Sequence, residues 1–249
     1  MKKSMILIVT LVLIFSLTGP SFARNQIDLS GALKGINTLT LSEGGDHANT
    51  TGTALMLKGQ YPIKQGLDID ASVFAAPSLT TKGVYHELGG TYHPYKMDAE
   101  LKGAQVDLLY QGYEDGRFEL NPFIGYRILR VEEKATSYDG VPETRDWTND
   151  TITTTVIAGV QGSIPLTEGF KVKTRLALAP NVLKKTETII DTVGSYSERT
   201  GIGGEVDLIV SYELQDGLSI DGGYEGRFVK FNNDQERYDN LHLGATYRF

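Results

Sequence analysis

The last nine residues alternate with a strict period of two. Leu241, Leu243, Ala245, Tyr247 and Phe249 occupy one phase, and His242, Gly244, Thr246 and Arg248 the other. Successive side chains of an extended strand point to opposite faces, so this segment predicts a strand with one apolar face and one small or polar face. The same period recurs from Ile27 onward and predicts strands near 27–41, 52–61, 67–77, 98–112, 118–131, 152–164, 170–182, 202–214, 218–231 and 239–249. Its apolar phase is explicit in Ile152, Val156, Ala158, Val160 and Ile164, in Val206, Leu208, Val210, Tyr212 and Leu214, and in Leu218, Ile220, Tyr224 and Phe228. Helical periodicity is not sustained anywhere after residue 23.

The predicted connections alternate in length. Pro62 to Gly66, Tyr113 to Arg117, Pro165 to Gly169 and Gln215 to Gly217 are tight turns. Longer polar stretches, at 42–51, 78–97, 132–151, 183–201 and 232–238, separate them. Opposed residues of a hairpin share a face, so apolar must meet apolar across each tight turn. The expected registers place Tyr61 against Leu67, Tyr110 against Leu120, Ile164 against Phe170 and Leu214 against Leu218, with Tyr212 facing Ile220 and Leu208 facing Tyr224. Ten strands follow, with both termini on the short-turn side; eight would follow if 27–41 and one neighbour were not strands. Aromatics gather at the same end: Tyr61, Tyr110, Tyr113, Phe118, Phe170, Tyr212, Tyr247 and Phe249.

At the N-terminus, Lys2 and Lys3 precede an apolar run from Met5 to Leu17, and Ser21-Phe22-Ala23 supplies a small-x-small site. This predicts a secretory signal peptide cleaved after Ala23, leaving residues 24–249 as one domain. The run is short of the roughly 20 residues that a membrane-spanning helix needs. Hydrophobic residues make up only 40% of the chain, which still suits a barrel whose alternate residues alone meet lipid. The chain has no cysteine, which excludes disulfides and thiolate chemistry. Its net charge of −7, falling to −9 without Lys2 and Lys3, argues against nucleic acid as a partner. Twenty-eight glycines and thirteen tyrosines fit curved strands with interfacial aromatics.

The closing segment, with Leu241, Leu243, Ala245, Tyr247 and a terminal Phe249, resembles the C-terminal strand of Gram-negative outer-membrane β-barrels. Over residues 24–249 the pattern is similar to the small OmpA-like, Opc-like and omptin-like barrels, ten strands favouring the last two. The resemblance implies an all-β, antiparallel, up-and-down transmembrane barrel with short periplasmic turns and long extracellular loops. It also implies location in the outer membrane after export, lipid as a partner, insertion by the barrel-assembly machinery through the C-terminal strand, and an extracellular ligand at the loops. A soluble barrel or sandwich with the apolar face turned inward is the alternative, because alternation fits either polarity.

If the apolar face meets lipid, the polar face lines a lumen. The expected registers place Lys58 opposite Asp70 and Glu205 opposite Arg227. Lys171, Lys173 and Arg175 share one inner strand, next to Glu205, Asp207 and Glu213. Asp207 faces Glu225, and that like-charge pair needs Lys173 or Arg175 beside it, or one shared proton. Ion pairs removed from bulk water must be matched, which predicts a lumen filled by side chains; a narrow charge-graded pore is the competing reading.

The loops carry the remaining candidates. The stretch 84–95 reads as a hairpin turning at Gly89-Gly90, placing His86 opposite His93 as a two-histidine site for Zn²⁺ or Cu²⁺, although Glu87 points away. Its tip, with Tyr85, Tyr92 and Tyr95, suits protein or glycan contact. Asp46-His47, in the first long loop, is the candidate for omptin-like rim proteolysis. Glu132, Glu133, Asp139, Glu143, Asp146 and Asp150, with Trp147, either hold a cation or solvate the surface. The sequence has no nucleophile elbow, phosphate loop, zinc helix or dinucleotide fingerprint, and calls for no cofactor. A structural or surface-binding, adhesin-like barrel ranks first, a narrow passive pore second and a protease third.

Overall fold

The structure, a computed structural model, describes residues 27–42, 45–64, 66–86, 91–115, 118–215 and 217–249. The expected signal peptide and the Gly89-Gly90 turn lie outside the described residues. The chain forms β1 (Asp28–Ser42), β2 (His47–Lys64), β3 (Leu67–His86), β4 (Tyr92–Tyr110), β5 (Tyr113–Glu114), β6 (Glu119–Tyr138), β7 (Val141–Pro142), β8 (Trp147–Thr167), β9 (Phe170–Ile190), β10 (Val193–Gln215), β11 (Leu218–Phe231) and β12 (Asp234–Arg248). The two-residue strands β5 and β7 each pair only with β6; the other ten form an antiparallel wall. The wall closes where β1 pairs with β12, from Asp28 against Arg248 to Ser42 against Asp234. Closure matters physically: in lipid every backbone N–H and C=O needs a partner, and a barrel has no open edge.

Burial resolves the polarity that alternation left open. Leu241, Leu178 and Leu176, on the apolar phase, are 70%, 71% and 55% exposed. The polar phase points inward, where Asp107 and Arg175 are buried at 2% and 8% exposure. An apolar surface this continuous has to be covered, and lipid is the solvent that covers it. At its short-turn edge Phe170 lies 4.4 Å from Tyr212 and Tyr247 lies 4.7 Å from Phe249, ring centre to ring centre. Amphipathic rings favour that level of a bilayer.

The faces agree with the sequence expectation, but three of the four registers do not. Tyr61 faces Ile69, Ile164 faces Val172, and Tyr113 rather than Tyr110 faces Leu120. Across the last tight turn Tyr212 faces Ile220 and Leu208 faces Tyr224 as expected, while Leu218 faces Gln215 instead of Leu214. The reason is local. Pro62 and Pro165 continue their strands instead of opening the turns, and the register slips at a bulge beside each. Gly66, Gly169 and Gly217 close these turns with φ of 80°, 80° and 79°, a left-handed conformation that favours glycine.

The stretches expected as long loops are mostly strand. β3 continues to His86, β6 to Tyr138 and β9 to Ile190, and β10 starts at Val193. Strands such as the 20-residue β3 rise about 3.3 Å per residue at a tilt of about 40°. They span roughly 50 Å along the axis, about twice the apolar band of a membrane barrel. Above the band the outward face turns charged: Arg130 reaches Asp150 at 2.6 Å and Glu132 at 3.4 Å, and Lys102 reaches Glu100 at 3.0 Å. The upper half of the wall therefore stands in water.

Candidate functional site

The inner face builds two zones, a packed lumen and an open rim. At the centre of the lumen Arg175, on β9, donates from Nη1 to Asp107 Oδ2 of β4 at 2.7 Å and from Nε to Glu205 Oε1 of β10 at 2.9 Å. Its guanidinium lies 3.8 Å above the ring of Phe123. Arg127 donates to Glu205 Oε2 at 2.8 Å and to Gln105 at 2.6 Å, and Gln105 donates back to Asp107 at 2.7 Å. Four strands are thus tied through one ring of charge-assisted bonds. Gly125 makes the ring possible, because a Cβ there would overlap the Asp107 carboxylate.

The other lumen candidates join this layer by routes partly different from those expected. Lys58 reaches Asp70 at 2.6 Å, but diagonally: the backbone register sets Lys58 against Ser72 and Gln60 against Asp70. Glu205 does face Arg227 across the ladder, yet its carboxylate bonds Arg127 and Arg175, while Arg227 stacks 3.9 Å above Tyr238. Asp207 faces Glu225. Lys34 bonds Glu225 at 2.5 Å, while Asp207 lies 3.9 Å from Arg175, which it shares with Asp107 and Glu205. Lys171 lies 3.5 Å from Glu119 and Lys173 3.6 Å from Asp221. Arg248, on the closing strand, grips Asp28 with two bonds of 2.8 and 3.1 Å.

Around the Arg175 ring the lumen holds a cavity of about 850 Å³ that reaches the short-turn end at Gly66, Gln111 and Glu114 and extends on the loop side to Ile36, Ala54, Leu101 and Tyr238. Toward the loop end the inner face turns apolar. Ala54, Ala76, Leu79 and Ala99 pack together with Ile36, Leu101 and Val131, and Ala179, Val182, Val229 and Phe231 pack against Tyr238. Glu236 is held there by Lys184 and by the Tyr238 hydroxyl. A polar layer follows, in which Thr81 links Thr50 and Glu133 at 2.8 Å each. Ala76 and Val182 are fully buried and Met97 is 1% exposed, so these side chains are packed away from water.

At the rim, His93 and His86 do not oppose each other. His93 faces Tyr85 and His86 faces Tyr92, a correction to the two-histidine site. The ladder pairs His86 with Tyr92 from the outset, one residue off the register that a two-residue turn at Gly89-Gly90 would set. His93 Nδ1 instead contacts Asp139 Oδ2 at 2.8 Å, and its ring stacks 5.5 Å from Tyr138. Asp139 has a φ of 51° and Gly140 of 77°, the paired positive values of the tight turn between β6 and β7. Tyr95 and Tyr138 flank Trp147 at 6.0 and 6.1 Å, forming an aromatic cluster that lines the mouth.

The six loop carboxylates each lie against a partner, and Arg130 serves two of them. Asp139 takes His93, Glu133 takes Thr81, Asp150 takes Arg130, Glu132 lies 3.4 Å from Arg130, and Asp146 lies 3.4 Å from Lys134. Glu143 accepts from Nε and Nη2 of Arg145 and from the backbone N–H of Thr144 and Arg145 at 2.9–3.0 Å. Among the described residues no three His, Asp or Glu side chains converge to hold a metal. Asp46 lines a rim cleft with Ser42, Arg199, Phe231 and Asp234; His47 starts β2 as an exposed residue, its Nδ1 3.5 Å from Gly45 O.

The Glu143 contacts make a testable acid response. The Arg145 guanidinium, helped by two backbone donors, holds the Glu143 carboxyl down at about 2 against an ordinary 4.5. A depressed pKa means that the stabilisation is complete above about 4.5 and is lost as the pH falls through about 2. The Glu143 carboxyl carbon, followed by NMR, should titrate near the lower value and move toward the upper one in Arg145→Met. A wild-type midpoint at the ordinary value would show that the loop does not hold this carboxylate.

No protein-family model matches the sequence, and no curated protein matches it. Among solved structures, the barrel is similar to the outer membrane protease OmpT of Escherichia coli, with a TM-score of 0.70 over 93% of this chain and 99% of that one at 12% identity. The fold is that of the outer-membrane β-barrels. The attachment invasion locus protein Ail of Yersinia pestis (TM-score 0.37, 12% identity, 91% and 100% covered) and the β domain of the Bordetella autotransporter BrkA (0.44, 11%, 91% and 100%) also match.

Proposed function

We propose that this protein is an outer-membrane barrel that passes nothing through its lumen and uses its raised extracellular rim as a binding surface. The observation that carries this reading is the contrast between the two halves of the interior. The short-turn half is a polar cavity, and the loop-side half narrows between apolar clusters in which Leu79, Met97, Val182 and Phe231 are buried. A small barrel filled by side chains leaves no aqueous path. Meanwhile the wall rises well beyond the lipid band, an extension that serves contact on the outside and contributes nothing to a membrane seal. The Tyr95–Tyr138–Trp147 cluster gives that rim the amphipathic rings common at binding surfaces.

Planar-bilayer recording tests the sealed lumen. Purified barrel should insert without unitary current steps, and Phe231→Gly with Leu79→Gly, which thins the packed layers, should produce them. Regular steps from the unaltered protein would replace this reading with the narrow pore.

A further inference from the structure

The rim is not level. β1 and β2 turn back between Ser42 and His47, and β11 and β12 between Phe231 and Asp234. β9 and β10 rise further, to Ile190 and Val193. The β10–β11 ladder starts only at Gly201, which faces Phe231, whereas the β10–β9 ladder already starts at Val193. Among the described residues, 193–200 are therefore bonded along one edge alone, and every residue from Asp191 to Thr200 is exposed. The free edge stands over a cleft floored by Phe231 and Asp234. An ion pair between Arg199 and Asp234 fixes its base, and Glu198 on the outward face is held by Lys185 at 3.2 Å and the Tyr196 hydroxyl at 3.0 Å.

We propose that this edge, residues 193–200 of β10, is a strand-addition site that captures an extended polypeptide segment of another protein, antiparallel to β10, where β11 leaves the sheet. The inference deepens the surface-binding reading and rests on it. The occupant follows from three features. A row of unpaired N–H and C=O groups in extended geometry is matched by another extended backbone. The added segment continues an existing ladder, so its direction and register are set by the last β11 pairs. A second copy of this chain does not fit: two barrels inserted in the same direction would bring their β10 edges together parallel and crossed at about twice the strand tilt, roughly 80°.

Side chains then specify the segment. On the outward face, Glu198 calls for a Lys or Arg directly opposite, and Tyr196 for a β-branched or aromatic residue. On the inward face, Ser195 and Ser197 accept Thr or Ser, which can bond them across the pair.

The probe is a fluorescent octapeptide, Thr-Glu-Lys-Thr-Val-Thr-Ser-Val, bound to the full-length barrel in detergent. It pairs its lysine with Glu198 and its first valine with Tyr196. Two further peptides carry N-methyl groups at the odd or at the even positions. A strand directs alternate N–H groups toward its neighbour, so one N-methyl series should lose at least about tenfold in affinity while the other binds like the parent. Amide exchange should slow within 193–200. Glu198→Lys should weaken the parent peptide and be rescued by exchanging its lysine for glutamate. Equal binding by both N-methyl series, protection confined to other segments, or concentration-dependent dimers that protect 193–200 without peptide would each overturn the proposal. The bilayer recording is independent of all three, so a barrel that seals but ignores the peptides loses the edge site and keeps the sealed lumen.

Discussion

Replacing Arg175 by methionine should lower the stability of the barrel by about 3–5 kcal/mol, the cost of leaving buried carboxylates without their cation. Arg175 is 8% exposed and bonds Asp107 and Glu205 while covering Phe123. Methionine fills much the same volume, so the loss comes from charge rather than from a void. Arg127 still reaches Glu205 in this variant, but Asp107 keeps only the neutral Gln105. Asp107→Asn in the Arg175→Met background should therefore recover a large part of the loss, although Asp107→Asn alone destabilises. Equilibrium unfolding in lipid vesicles gives the four corners of this cycle, and a coupling of more than about 1 kcal/mol between the two positions marks direct interaction. If Arg175→Met stayed within about 1 kcal/mol of the parent, the ring would be hydrated and screened, and the closed lumen would lose its main electrostatic support.

The face of nearly every strand residue was legible in the sequence, because period-two alternation survives any register shift of two. The register itself was not. Pro62 and Pro165 look like turn residues yet stand in strands, and a slip of two leaves apolar facing apolar, so the pattern gives no warning. A slip of one, which does change the face, is what separates His86 from His93: the ladder pairs His86 with Tyr92, one residue off the register that a two-residue Gly89-Gly90 turn would set. The upper thirds of β9 and β10 carry no strand signal for another reason. Outside the bilayer both faces are wet, and Thr186-Glu187-Thr188 or Ser195-Tyr196-Ser197-Glu198 shows no alternation to detect.

The lumen shows the same division. Lys58, Asp70, Arg175 and Glu205 were found by phase. Asp107, Arg127 and Lys34 were missed, although each sits on the polar phase of an otherwise apolar segment: Val106-Asp107-Leu108, Tyr126-Arg127-Ile128 and Leu33-Lys34-Gly35. A charged residue on the inner phase of a lipid-facing strand was the available signal. What sequence phase cannot supply is the partner, since Arg175 meets Asp107 across the lumen from strands that do not touch in the ladder.

Leu208→Arg carries the second large effect and tests which way the wall faces. Leu208 lies in the middle of the β10 band, 49% exposed, with Thr174 and Tyr224 as its ladder neighbours. A guanidinium at the midplane of a transmembrane barrel costs about 2–4 kcal/mol, and one near or beyond the interface about 0–1 kcal/mol. Asn49, exposed near the loop end of β2, is the matching position in water. Leu208→Arg should thus be destabilised by the larger amount in vesicles and Asn49→Arg by almost nothing, measured by denaturant unfolding with heat-modifiable gel mobility as the folded marker. In a soluble barrel Leu208 would be a core residue, and arginine there would prevent folding in lipid-free buffer. A membrane barrel shows no such failure in short-chain detergent, where the side chain snorkels into the micelle surface. The depth dependence is the decisive reading: a graded penalty through Tyr212, Leu208 and Gly204 that peaks at Leu208 fixes the bilayer on the lower half of the wall, and with it the height at which the free β10 edge stands in water.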